Sequence, residues 1–189
     1  MAIVLYLGKN VKQYDEISKE IIKDHVAGGR IRCDMCSQPM NRHSSYTRGI
    51  RETGEKIVIT LVQCRRCNNY HALLPDFLLP HKQYSGNEIE SVIIDSATQP
   101  TNQIETEASE STVKRWIKQI GDRIKMAVSV LKIVFMEMGR VISEIRIETG
   151  NAYNELEQVL NMAPEATKYT NNLGLANIWL GKHSRKSMI

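Results

Sequence analysis

No stretch of this 189-residue chain is apolar for long enough to cross a bilayer. The most apolar run, residues 127–138, is interrupted by Lys132 and Glu137 and stops short of the ~20 residues a spanning helix needs. No secretory leader is expected at residues 1–10 either, because the short apolar stretch at residues 3–7 is followed by the polar pair Lys9-Asn10. These absences predict a cytoplasmic protein with no membrane partner. Internal repeats and long low-complexity segments are absent too. So are the nucleophile elbow, the phosphate-binding loop and the metalloprotease motif, and no enzymatic role is expected. Neither sign of charge dominates: 25 basic against 21 acidic residues leave +4, with a pI near 8.9, which permits an acidic partner without demanding one.

Cysteine is scarce and wholly accounted for. The four cysteines form two pairs, Cys33-x-x-Cys36 and Cys64-x-x-Cys67, separated by 27 residues. In a reducing compartment this pattern predicts metal ligation rather than disulfides. Each pair can wrap a tight knuckle around one edge of a tetrahedral Zn²⁺, and four thiolates leave no open coordination position, so the zinc is expected to be structural. A thioredoxin-type pair would open a helix, whereas the second pair here follows a strand pattern and leads into Asn68-Asn69. His43 and His71 are the nearby substitute ligands, and a surface or supporting hydrogen bond is the expected role of each.

The expected fold class is α+β, a small β zinc ribbon followed by a mainly α-helical region with a helix-turn-helix. Residues 1–29 read as a strand and a helix, the helix presenting Val11, Tyr14, Ile17, Ile21 and His25 and stopped by Gly28-Gly29. Residues 30–84 form the ribbon, with a turn at 52–55 feeding the β-branched run 57–62 into the second cysteine pair. Residues 73–80, holding Pro75 and Pro80, read as a packed connector without regular structure. Residues 85–125 form the helix-turn-helix, with Ile89, Val92 and Ile93 buried in its first helix. Residues 126–189 supply C-terminal helices: the pattern that begins at Ser111 continues to about Ile145 with a break near Gly121 or Gly139, a last helix covers 152–162, and a basic tail follows from Asn171.

Basic residues concentrate in the ribbon. Residues 30–84 hold nine, seven of them arginine, against four acids, a net of +5 that exceeds the whole chain's +4. Arginine's planar fork suits phosphate and base edges, and Arg65 and Arg66 stand between the second pair of cysteines. A second constellation starts at Ser109. At 100° per residue, Val113, Trp116, Ile117, Ile120 and Ile124 share one face, while Ser111, Arg115, Lys118 and Asp122 point away. With Thr112 and Lys114, these polar residues suit a helix entering a major groove, its first turn meeting phosphates. Double-stranded DNA is therefore the expected partner.

The ordered series Cys-x-x-Cys, Arg42-His43, Tyr46-x-Arg48, Cys64-x-x-Cys67, His71, Leu74-Pro75-Asp76, Leu79-Pro80, Tyr84-Ser85 and Ser109-Glu110-Ser111-Thr112-x-x-Arg115-Trp116 resembles a bacterial family of uncharacterised transposase-like proteins. The resemblance spans roughly residues 30–125. It implies a zinc ribbon followed by a helix-turn-helix, as at the DNA-binding ends of insertion-sequence transposases. Asp34, Ser37 and Asn68 stand where that pattern usually has proline after the first cysteine and glycine after each pair. A transposase catalytic domain would need three carboxylates on an RNase-H-like sheet, and the 64 residues after position 125 read as helices. The expected function is thus a transposon-derived regulator or accessory factor. The competing reading is a zinc-stabilised protein-interaction module, and in either case the all-round apolar segment containing Val130, Leu131, Ile133, Val134, Phe135 and Met136 predicts a homo-oligomer.

Overall fold

The computed structural model describes residues 2–139, 152–163, 169 and 171–183. It is a mixed α+β protein, as expected from the sequence. Strands β1 (Ala2–Leu5), β2 (Asn41–Gly49), β3 (Lys56–Gln63) and β4 (Tyr70–Pro75) form one sheet in the order β1-β4-β3-β2. The β2–β3 and β3–β4 pairs are antiparallel, whereas β1 lies parallel to β4 with Ala2 opposite Ala72. Helix α1 (Val11–Ala27) follows β1, and α2 (Gly86–Asp95), α3 (Glu110–Glu137), α4 (Ala152–Leu160) and α5 (Asn172–His183) follow the sheet.

Local chemistry explains most of these boundaries. Asn10 caps α1 by accepting a hydrogen bond from the N–H of Gln13 at 2.9 Å, and Ser85 caps α2 through Glu88 N–H at 3.1 Å. The β-branched residues Ile57, Ile59 and Val62 are fully buried in β3, which like β4 is paired on both sides. On α1 the buried row is Tyr14, Ser18 and Ile22, a small rotation from the expected face, and the Tyr14 hydroxyl donates to the carbonyl of Val58 at 2.7 Å.

Two apolar cores result. One joins Leu7, Tyr14 and Ile22 to the sheet residues Ile57, Ile59, Leu73 and Leu74, so residues 1–29 share the core of the sheet. The other runs from Leu79 through Trp116 and Phe135 to Leu180, and in it α2 to α5 pack together. The two cores divide between Leu78 and Leu79, a few residues before the expected boundary at 84/85. No such boundary exists at 125/126, where α3 runs unbroken and Gly121 sits inside it.

Three expectations require correction. Residues 70–75 form β4, because Pro75 occupies the end of the strand, opposite Leu5, where its missing N–H breaks no ladder. Residues 172–183, expected to be tail, form α5, whose Leu173, Leu175, Ala176, Ile178, Trp179 and Leu180 are all buried. A helix covered on every side shows no amphipathic period. Between α2 and α3 lie residues 96–109, a fourteen-residue connection rather than the roughly three or four residues of a helix-turn-helix. That connection is pinned by Ile104 in the core and by the Thr106 hydroxyl on the Glu88 carboxylate. The expected continuation of the long helix to Ile145, and the basic residues Arg185 and Lys186, lie outside the described residues.

The N-terminus of α5 is fixed by a polar joint. Glu90 accepts from the N–H groups of Asn172 and Leu173 at 3.1 and 2.9 Å, and Asn171 Oδ1 accepts from Gly174 N–H at 2.6 Å. Burial pushes the Glu90 carboxyl up despite these donors. Asn171 Nδ2 also donates to Asn87 at 3.0 Å, which ties α5 to α2.

Candidate metal centre and basic face

The two cysteine pairs adopt the same local structure. In the first, Ser37 N–H donates to Cys33 C=O at 2.8 Å and Cys33 N–H to Gln38 C=O at 2.9 Å. In the second, Asn68 N–H donates to Cys64 C=O and Cys64 N–H to Asn69 C=O, both at 2.9 Å. Each turn closes with a left-handed residue, Ser37 and Asn68, both at φ 58°. The second turn is also the connection of the β3–β4 hairpin, since β3 ends at Gln63 and β4 begins at Tyr70.

Sheet and turns bring all four sulfurs together. Sγ–Sγ separations are 3.2 Å for Cys33–Cys67, 3.4 Å for Cys36–Cys64 and 3.7 Å for Cys36–Cys67, and all four atoms lie within 4.8 Å of one another. A tetrahedron with metal–sulfur bonds of ~2.3 Å has edges of about 3.8 Å, so every separation in the cluster lies within about 1 Å of the edge a four-thiolate site needs. The Cys67 N–H, aimed at Cys64, pushes that thiol down to about 6, while a hydrogen bond with Cys33 pushes Cys67 up to about 12. Thiols this close share protons, and ionising all four requires a central cation. The donor set therefore fits a metal.

His71, beside this cluster, is 3 % exposed, and its Nε2 lies 3.1 Å from Asp34 Oδ1. Burial pushes the imidazole pKa down, against the pull of the Asp34 carboxylate. Cys33, Asp34 and His71 could together offer a second donor set, but it shares Cys33 with the complete set of four thiols. His43 lies at the surface, 3.0 Å from the Ser44 hydroxyl and edge-on to Tyr70.

The basic residues expected to meet DNA occupy two places. Arg65 and Arg66 are exposed at the tip of the second cysteine turn. Ser111, Thr112, Lys114, Arg115 and Lys118 lie in the first turns of α3, where all but the half-buried Thr112 are exposed. Val113, Trp116, Ile120 and Ile124 are buried beneath them, as the periodicity predicts. The Ser109 hydroxyl is bonded to those of Ser111 and Thr112 at 3.1 and 3.0 Å, and Lys114 pairs with Glu110 at 2.7 Å. Arg115 and Lys118 have no ion-pair partner among the described residues.

Topology keeps the two places apart. The β2–β3 turn, which contains Arg51, borders the start of α3, whereas Arg65 and Arg66 follow the other end of β3. Eight residues of strand span roughly 23 Å. What adjoins Arg115 is instead Arg51, His81, Lys82 and Arg123. Arg123 was missed by the sequence reading, although its step of eight from Arg115 places it near the same helix face.

Fold and site thus define a mixed α+β protein with a four-cysteine, metal-compatible cluster and basic surfaces at both ends of its hairpin. Residues 33–116 match a family described as Domain of unknown function (DUF6431). The match begins at the first cysteine and ends at Trp116, and its description names neither an activity nor transposases. No curated protein and no solved structure matches the chain.

Proposed function

We propose that this chain is a zinc-stabilised DNA-binding protein, a transposase-like or transposon-derived regulator acting in the cytoplasm without catalysis. Cys33, Cys36, Cys64 and Cys67 hold one structural Zn²⁺. Arg115 and Lys118 face the duplex from α3, with Ser111, Thr112 and Lys114 at the helix start, and Arg65 and Arg66 meet the sugar-phosphate backbone. The observation that carries this reading is the set of exposed cations without ion-pair partners on α3, above a buried Trp116 that fixes their direction. A strand of roughly 23 Å corresponds in length to about seven base pairs, a span that a duplex covers readily.

Fluorescence-anisotropy titration of duplex DNA at two salt concentrations tests the proposal. Arg115→Ala should cost ~1–3 kcal/mol and relax preference at one position if Arg115 reads a base, whereas Arg66→Ala should weaken all sequences alike and shallow the salt slope by about one unit. Equal binding by the wild type and an Arg115/Lys118 double alanine variant would overturn it. Elemental mass spectrometry should find one zinc per chain, lost on Cys64→Ser.

A specific observation favours association through α3. Leu131, Val134 and Phe135 are covered within the chain by α4 and α5, but Met126, Ile133 and Met136 remain 56 %, 57 % and 62 % exposed. This outer stripe, rather than the whole circumference, is what a second subunit or another protein would cover. Light scattering of the wild type against Ile133→Lys distinguishes a dimer through this stripe from a monomer.

A further inference from the structure

The seam between the two cores holds a cleft of about 610 Å³, walled by the connector after β4, the β2–β3 turn and the first turns of α3. Thr112, Arg115, Gln119 and Arg123 line its α3 wall at steps of three, four and four residues, a single stripe of the helix. Lys82 faces them from the connector and Arg51 from the turn.

This arrangement is held rigidly. Arg48 donates to the carbonyls of Leu79, at 2.9 Å, and Lys82, and Arg51 N–H donates to Gln83 C=O at 2.8 Å. The guanidinium carbon of Arg51 lies 5.8 Å from the centre of the Tyr84 ring, which meets Trp116 edge-on at 4.9 Å. Trp116 and Tyr84 are 2 % and 5 % exposed, so the cations stand on a buried aromatic floor.

No carboxylate lines the cleft, and none of Arg51, Lys82, Arg115 or Arg123 makes an ion pair among the described residues. Burial, and then the charges of Arg123 and Arg115, push the Lys82 ammonium pKa down. Like charges brought together on fixed backbone repel, and a multiply charged oxyanion between them reverses that repulsion while accepting several hydrogen bonds. Thr112 and Gln119 add neutral donors at the same wall.

We infer that this cleft binds a phosphate group, with Arg51, Lys82, Arg115 and Arg123 as its charged ligands. The group can belong to a nucleic-acid strand or to a free phosphorylated compound. The site itself does not require the DNA reading, which supplies only the first of these sources.

The test uses the full chain loaded with its metal and inorganic phosphate as the probe. Thermal melting in phosphate is compared with melting in chloride of equal ionic strength, and affinity is read from the concentration dependence. The wild type should melt higher in phosphate. Arg123→Gln and Lys82→Gln should each lose roughly ten-fold in phosphate affinity, the size expected for removing one charge-assisted hydrogen bond, while Lys125→Gln, on α3 outside the cleft, should not. No phosphate-specific stabilisation of a folded wild type, or equal affinity in all three variants, overturns the inference. Duplex titration of the same variants separates the sources. Joint loss of phosphate and DNA affinity places a strand phosphate in the cleft, and loss of phosphate affinity alone supports a free phosphorylated compound. Phosphate binding without any DNA binding leaves the site standing and removes the DNA reading, whereas DNA binding without phosphate binding does the reverse.

Discussion

Ser37 and Asn68 occupy equivalent left-handed positions, and their chemistry makes them unequal. An L-residue other than glycine pays roughly 1–2 kcal/mol to enter this region, with asparagine the usual exception. Asn68 also accepts a hydrogen bond from the Gln63 side chain through its Oδ1. Ser37→Gly should therefore stabilise the metal-loaded protein by about 0.5–1 kcal/mol, and Asn68→Gly by less. Urea midpoints at constant metal decide this, and a lower midpoint for Ser37→Gly than for the wild type would show that the strain assigned to the first turn is not there. The sequence made the cysteine turns legible because cysteine spacing is a local property. That the residues standing where glycine is usual, Ser37 and Asn68, both take a left-handed φ of 58° is seen only in the folded chain.

Among the elements, α3 and α5 give opposite answers to the same substitution. Gly121 lies inside α3 with nothing within 4 Å of where a Cβ would stand, so Gly121→Ala should raise stability by about 1 kcal/mol through helix propensity alone. At Gly174, in the first turn of α5, a Cβ would collide with the backbone oxygen of Asp76. Gly174→Ala should destabilise by roughly 3 kcal/mol or more, because the contact is with backbone that cannot yield cheaply. Chemical denaturation of both variants checks the pair, and a neutral Gly174→Ala would mean that α5 is not seated as described. Periodicity revealed α3 because one of its faces meets water, and it hid α5 because none does. β4 escaped for a related reason: residues read as a proline-broken connector are a strand with its proline at the terminus.

At the scale of the whole molecule, two cores imply two levels of dependence on the metal proposed for the four thiols. The sheet core includes Cys33 and Cys64 among its buried residues, whereas the helical core contains no cysteine. Because metal binding is coupled to folding at such sites, removal of the metal by a strong chelator should release amide protection first in the turns at residues 33–38 and 64–69 and in β2 to β4. Protection of α3 should persist. Hydrogen exchange followed by mass spectrometry resolves the two regions, and simultaneous loss of protection in both would show that the cores behave as one cooperative unit.

The sequence by itself determined the α+β class, the four clustered cysteines, the β2–β3 hairpin and the buried face of α3, since each rests on spacing or period within a short segment. Only the tertiary structure decided that β1 joins the sheet beside β4 across some seventy residues of chain, with Ala2 opposite Ala72. It also decided that Arg115 adjoins Arg51, Lys82 and Arg123 instead of Arg65 and Arg66. The physical reason is common to both cases. Which charges become neighbours depends on which end of β3 each precedes or follows, and strand order and direction are set by burial summed over the whole chain, which no local pattern records.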